Sequence, residues 1–388
     1  MAIFSAPELF RRWNEVLARL DGEECYIALS FHNSYYLSGL PMQQWGRFSI
    51  TVLFPGNEPV LITPDFEELA ALDNSPIADV RYYRDEQGPS HPVALTMLAE
   101  VLAEKGVQVA AIEGEALPWS AYEVLVKAAP GVRFIDRTDI VDEVRLVSSP
   151  EELKYIREAS RLVDVCMQAI LDAAQPGMTE IELAGIGRQA MERAASLDYS
   201  LNTSCYLQQG ERSANCHARP FDTPLEEGNI IEVICEAEVE YYQASLERPI
   251  IIGVGSPEVE RATEVAAESF AAAVAEVKPG NTFGAVDKAG RAVLQAAGYN
   301  RIPTGAGLVR GVLHHTGGRT ERGELRMHND RVLQPNMVVT VEPWAIIPGV
   351  GGPRHTDVIR VTEDGNEFIT TTPGGVLRTR DFGIISAS

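Results

Sequence analysis

Three things are scarce in this 388-residue chain, and each scarcity excludes something. Cysteine occurs five times, at Cys25, Cys166, Cys205, Cys216 and Cys235, an odd number with no Cys-X-X-Cys pair. That excludes a disulfide framework and a zinc knuckle, and it suits a reducing compartment. Basic residues are few: 33 Lys and Arg stand against 55 Asp and Glu, a formal charge of −22. Such a surplus repels phosphate backbones and anionic membrane surfaces, so neither nucleic acid nor a membrane is an expected partner. Long apolar runs are missing too. No window reaches 18 apolar residues, and the first residues, Met1 to Trp13, lack a basic segment followed by an apolar one. Neither a spanning helix nor a secretory leader is expected, and the protein reads as cytoplasmic.

What is present is a globular composition, 45% hydrophobic and 23% charged, at a length that suits two domains. The first part alternates apolar runs, Cys25 to Leu29, Phe48 to Phe54 and Val60 to Ile62, with helix-like stretches such as Pro92 to Lys105. That is an α/β pattern. Ser149 followed by Pro150, Glu151 and Glu152 has the form of a helix N-cap with proline in the first turn. The boundary falls just before it, giving domains 1–145 and 146–388.

The second part repeats itself. Ser149-Pro150-Glu151 returns as Ser256-Pro257-Glu258, 107 residues later. Pro176-Gly177-Met178-Thr179 returns as Pro279-Gly280-Asn281-Thr282, 103 later. The run Leu225 to Val233 returns as Leu333 to Val341, 108 later. Three markers in one order at nearly one offset imply a duplicated unit of helix, helix and hairpin. Two such units bury their apolar faces best as a pair, with a curved sheet around a shared crease and helices outside. A ligand belongs in that crease. The offset pairs Glu342 with Ile234, and Ser245 or Glu247 with His355 or Thr356, so the obvious crease positions are poor in metal-binding oxygen.

The residues that would line the crease resemble a known family. Gly228-Asn229 through Tyr242, Glu247-Arg248, Gly307-Leu308, His315, Arg319, Val341-Glu342-Pro343 and Thr356-Asp357 through Glu367 are similar to the pita-bread superfamily of methionine aminopeptidases, proline-specific aminopeptidases and creatinase. The resemblance covers essentially 150 to 380. It implies a small N-terminal α/β domain followed by a pita-bread catalytic domain with a pseudo-two-fold duplication. In the metallopeptidase branch five positions carry metal ligands; on this chain they fall on Ile234, Ser245, Leu308, Glu342 and Thr356. The resemblance therefore points to the creatinase branch, with no metal or other cofactor.

On that branch His217 is the expected general acid and base, and Glu247 and Glu342 the carboxylates that hold a substrate cation. Arg319, Arg47 and Trp45 would bind the rest of the substrate, with His315 and Tyr242 lining the crease. Trp45-Gly46-Arg47 would belong to an arm completing the partner's site in a homodimer. The residue types suit the chemistry. A guanidinium or amidinium is already an electrophilic cation, and paired carboxylates can hold its N–H groups by charge-assisted hydrogen bonds. A histidine can take a proton from water and return it to the leaving nitrogen. A planar guanidinium fork suits a substrate carboxylate.

The expected activity is thus metal-independent hydrolysis of a non-peptide C–N bond in a small carboxylated guanidinium or amidinium compound, as in creatine cleavage to sarcosine and urea. The alternatives are ectoine-type cyclic amidine opening, an Xaa-Pro metallopeptidase with a degenerate metal site, and a non-catalytic peptide-binding relative. Of the neighbouring motifs, His314 precedes His315 on the opposite face of an expected strand and reads as structural. Gly349 to Pro353 lacks the Lys-Ser/Thr of a phosphate loop and reads as a hairpin connection.

Overall fold

The computed structural model describes residues 2–41, 47–195, 201–215, 218–299, 308–309, 324–380 and 383–386, with the backbone alone at 308–309, 380 and 383–386. The chain divides into two compact units, Met1–Arg145 and Leu146–Ser388.

The N-terminal unit is a six-stranded mixed sheet in the order β4-β3-β2-β1-β5-β6. Its strands are β1 (Cys25–Ala28), β2 (Ile50–Leu53), β3 (Val60–Pro64), β4 (Asp79–Tyr83), β5 (Val109–Ile112) and β6 (Arg133–Asp136). Its helices are α1 (Ala6–Leu17), α2 (Phe31–Ser38), α3 (Glu68–Asn74), α4 (Ser90–Glu104), α5 (Trp119–Ala128) and α6 (Asp139–Arg145). The continuous apolar runs of β1 to β3 are buried along their whole length, as a sheet covered on both faces requires.

The C-terminal unit carries the duplication in its backbone. Helix α7 (Pro150–Ala173) starts on a capping box in which Ser149 and Glu152 satisfy each other's backbone amides. Helix α8 (Glu180–Ala194) starts likewise on Thr179 and Glu182. Their counterparts α9 (Pro257–Ala275) and α10 (Phe283–Ala296) are capped by Ser256 and Thr282. Between the helices of each pair the turn docks on the later hairpin in the same way. Gly177 N donates to Leu225 O at 2.9 Å and Gly280 N to Leu333 O at 3.0 Å; Leu225 N donates to Met178 O and Leu333 N to Asn281 O, both at 2.8 Å.

The first half supplies β7 (Leu201–Gln209), β8 (Ile230–Val239) and β9 (Tyr242–Ile252), paired antiparallel in that order. The second supplies β10 (Leu308–Val309), β11 (Val338–Val341), β12 (Asp357–Val361) and β13 (Asn366–Phe368) in a four-stranded sheet. At the C-terminal end β14 (Leu377–Arg380) and β15 (Gly383–Ser386) extend the first sheet beside β9. One face of each sheet packs under helices. Val339, Val341 and Ile359 join Phe270, Phe283 and Val286 in one apolar cluster, and helix α7 lies along β8 and β9.

The two halves are joined where β9 meets the start of β12. Glu247 N donates to Thr356 O at 3.2 Å and Thr356 N returns a bond to Glu247 O at 3.1 Å. One residue on, Arg248 donates to both oxygens of Asp357, at 3.0 and 2.8 Å, and to the carbonyls of Glu247, Thr356, Thr372 and Pro373. This ion pair is almost wholly inaccessible. Burial pushes the Asp357 carboxyl up, and Arg248 and the Thr370 hydroxyl pull it back down.

Candidate functional site

Strand alternation decides what faces the crease. The register pairs Tyr206 with Ile234 and Ile234 with Glu247, Gln208 with Glu232, and Glu236 with Ser245. These side chains therefore share one face, while Cys205, Leu207, Val233, Cys235, Leu246 and Arg248 share the other. The alternation is visible in β8 itself, where Glu232, Glu236 and Glu238 interleave with Val233, Cys235 and Ala237. In the second half Val341 pairs with Asp357, which puts Thr340 and Val358 on the crease side of β11 and β12, with Glu342 and Thr356 just beyond the paired run.

Arg354 occupies the centre. Its guanidinium lies 3.5 Å from Glu247 Oε2 and 3.8 Å from Glu342 Oε1, with its carbon 5.0 Å from the centroid of the Trp344 ring. Its backbone N–H donates to Glu232 Oε2 at 2.9 Å. The local hairpin that aims it is held by bridges between Trp344 and Arg354 and between Ile347 and Gly351. The connection through Gly349 is thus the hairpin that its composition implies.

Burial dominates the electrostatics. It pushes the Glu247 carboxyl up to about 7; Arg354 opposes the shift, and Glu342 and Glu236 reinforce it. Glu232 is raised as well, by burial first and despite Arg354. The Tyr206 hydroxyl is held above its ordinary value by burial and then by Glu236 and Glu247. Glu232 Oε1 and Ser245 Oγ are buried and make no hydrogen bond among the described residues. Buried polar atoms cost free energy unless a partner satisfies them, so this face is built to receive a polar ligand.

Glu247 and Glu342 are therefore brought together, with Arg354 between them. Tyr242 is not with them: it lies five residues from Glu247 and on the opposite face, where its hydroxyl donates to Glu152 on α7 at 3.0 Å and its ring stacks on Tyr155. Its assignment to the crease is corrected by strand parity. Arg47 is engaged inside the N-terminal unit, bonded to Asp85 at 2.6 Å with Phe66 beneath it. Trp45, His217, His315 and Arg319 lie outside the described residues. His355 faces away from the crease; its Nε2 bonds Gly375 O at 2.9 Å and burial pushes its pKa down to about 3. Sequence reasoning missed Arg354, Glu232 and Glu236. The alternating glutamates of β8 were the available signal for two of them; Arg354 had none outside its pairing.

The chain belongs to metallopeptidase family M24, whose model matches residues 154–363, more than half of it. A creatinase/prolidase N-terminal domain matches residues 12–147. Among similar proteins, the Xaa-Pro dipeptidase of Pyrococcus furiosus is 25% identical over 341 residues, 88% of this chain and 91% of that one. Of solved structures, an Xaa-Pro dipeptidase from Bacillus anthracis superposes with a TM-score of 0.85 at 24% identity, covering 95% of this chain and 99% of that one. An X-Pro aminopeptidase from Thermotoga maritima gives 0.78 at 25% identity, over 93% and 99%.

These matches uphold the pita-bread fold and a hydrolase, and they correct the expected activity. The relatives carry dipeptidase and aminopeptidase names, so the reading as a creatinase-type amidinohydrolase is overturned in favour of a peptidase. The family name implies metal, yet the residues at the five ligand positions do not fit a metal pair. Ile234 and Leu308 are hydrocarbon, Ser245 and Thr356 are neutral hydroxyls, and Glu342 alone is a carboxylate. Among the described residues no cluster of three carboxylate or imidazole groups lies close enough to share an ion.

Proposed function

We propose that this chain hydrolyses small dipeptides, with Xaa-Pro dipeptides the first class to test, in the crease between Glu247, Glu342 and Arg354. The observation that carries the reading is this array of two carboxylates around one buried guanidinium, in a chain of metallopeptidase family M24 whose fold is shared with an Xaa-Pro dipeptidase. A dipeptide presents an ammonium at one end and a carboxylate at the other. Glu342, the more accessible of the two carboxylates, suits the ammonium by a charge-assisted hydrogen bond. Glu247, with a pKa of about 7, suits proton transfer near neutrality.

In the step proposed, Glu247 takes a proton from water as the water oxygen bonds to the peptide carbonyl carbon. The C–N bond then breaks, and the proton passes to the departing nitrogen. Arg354 is a positioning residue: it holds both carboxylates in place and limits the negative charge that accumulates beside them. His217, Arg319, His315, Trp45 and Arg47 are proposed as further substrate contacts, the last two from a homodimer partner, and the protein is placed in the cytoplasm.

The test is product formation by mass spectrometry from a panel of Xaa-Pro and other dipeptides, with creatine and ectoine as contrasts, after chelation and again with manganese restored. Dipeptide cleavage lost in Glu247→Gln is the expected result. Absence of cleavage of every dipeptide under both conditions overturns the proposal.

A further inference from the structure

On the opposite face of the same sheet, under the helices, three thiols meet. Cys166 on α7, Cys205 on β7 and Cys235 on β8 are buried, and their Sγ atoms all lie within 4.8 Å of one another. Cys205 and Cys235 are direct register partners across the β7–β8 ladder, and α7 brings Cys166 onto them. A metal–sulfur bond of about 2.3 Å places the sulfurs of a planar three-coordinate site about 4 Å apart. Sulfurs that all lie within 4.8 Å of one another are close enough to reach that separation.

The neighbouring helix leaves room for them. A Cβ built on Gly187 of α8 would stand 2.8 Å from Cys166 Sγ and 3.0 Å from Cys205 Sγ. Glycine inside a helix costs about 1 kcal/mol relative to alanine, and here it keeps the space beside the sulfurs open.

We propose that Cys166, Cys205 and Cys235 bind one Cu(I) ion per chain in a three-sulfur site. The donor count selects the ion. Structural zinc takes four ligands, and only three donors cluster here among the described residues. Soft thiolates in an apolar setting select a soft ion, and Cu(I) accepts three. Binding is not a redox step: Cu(I) enters as Cu(I), two thiols release their protons to solvent as two Cu–S bonds form, and the third sulfur coordinates as a thiol. The complex then carries a single negative charge.

The experiment uses the full chain under anaerobic conditions. Cu(I) is offered as its bathocuproine disulfonate complex, both to folded protein and during refolding, and copper X-ray absorption counts the sulfur neighbours. The expected result is one Cu(I) per chain with three sulfurs, lost in Cys166→Ala, Cys205→Ala and Cys235→Ala and kept in Cys25→Ala, whose thiol lies in the N-terminal sheet. No transfer to wild type under either condition overturns the proposal, as does transfer that survives in Cys235→Ala. If an alanine variant fails to fold, Gly187→Ala decides: its Cβ crowds two of the sulfurs, so affinity falls by about 10- to 100-fold, the range for a group adjoining the ligands. Unchanged affinity in Gly187→Ala overturns the assignment.

Discussion

The two halves of the C-terminal unit share a backbone and differ in what they offer the crease. Gly228 and Asn336, 108 residues apart, both adopt left-handed conformations, and their amides donate to Ile252 O and Val361 O at 2.9 Å. Glu247 and Thr356, which bond each other, are counterparts in the duplication, yet one is a buried carboxylate and the other a hydroxyl. The first half contributes Glu232, Glu236 and Glu247; the second contributes Glu342, Thr340, Thr356 and the cation Arg354. The comparison teaches that the duplication sets the positions and their spacing. A few exchanges at equivalent positions then separate the proton-carrying side from the charge-compensating side.

The largest effect that tests this division is on turnover. Glu247→Gln should lower kcat/KM by about 10²- to 10⁴-fold, the usual yield of a general acid or base. Thr356→Val, its counterpart, should cost less than tenfold. Equal losses in steady-state assays of the two variants would erase the distinction between halves.

The next largest effect concerns the staple beneath. Arg248→Met leaves Asp357 as an uncompensated buried charge and should cost about 3–5 kcal/mol in urea denaturation. A loss under about 1 kcal/mol would mean that the halves are held together by their sheets alone.

A third effect is pH dependence. The folded Glu247 pKa of about 7 lies above its ordinary 4.5, so the folded state holds the proton more tightly than the unfolded one. Its contribution is fully present below about pH 4.5 and is lost as pH rises through 7. Wild type should therefore lose of order 1–3 kcal/mol between pH 5 and 8 relative to Glu247→Gln, read as the difference between their two stability profiles. Parallel profiles would place the proton elsewhere, with Glu232 the next group raised by burial.

The smallest effect lies at the equivalent turns. Gly228→Ala should cost about 1–2 kcal/mol, because its φ of 79° is disfavoured for a side chain and its Cβ would meet Val254 O at 3.1 Å. Asn336→Gly relieves the same conformation at φ 68° but gives up the bonds that Asn336 Oδ1 accepts from Arg360, so its net change should be within about 0.5 kcal/mol. Similar melting shifts in the two variants would show that conformation alone governs both turns.

Much of this was legible in the chain because its signals are local. The caps at Ser149, Thr179, Ser256 and Thr282, and the glycines at 177 and 280, act within a few residues, so their recurrence revealed the duplication directly. Glu247 and Glu342 were likewise readable as crease residues. Tyr242 was misplaced because its nearness in sequence to Glu247 hides an odd number of residues, and odd spacing on a strand means opposite faces. The branch of the family was misread for a chemical reason. Glutamates and arginines that hold a cation and a carboxylate serve a guanidino acid and a dipeptide alike, so those residue types did not choose the bond that is cleaved.

By itself, then, the sequence determined the two-part chain, the doubled helix-helix-hairpin unit and the poverty of metal ligands at Ile234, Ser245, Leu308 and Thr356, since each is written in residue identity and short-range pattern. Only the tertiary structure decided that Arg354 stands between Glu247 and Glu342, that Arg248 staples Asp357 from the other side of the same strands, and that cysteines 39 and 69 residues from Cys166 converge on it. Those juxtapositions depend on strand register and helix docking. Burial of whole faces sets both, and no short stretch of residues encodes it.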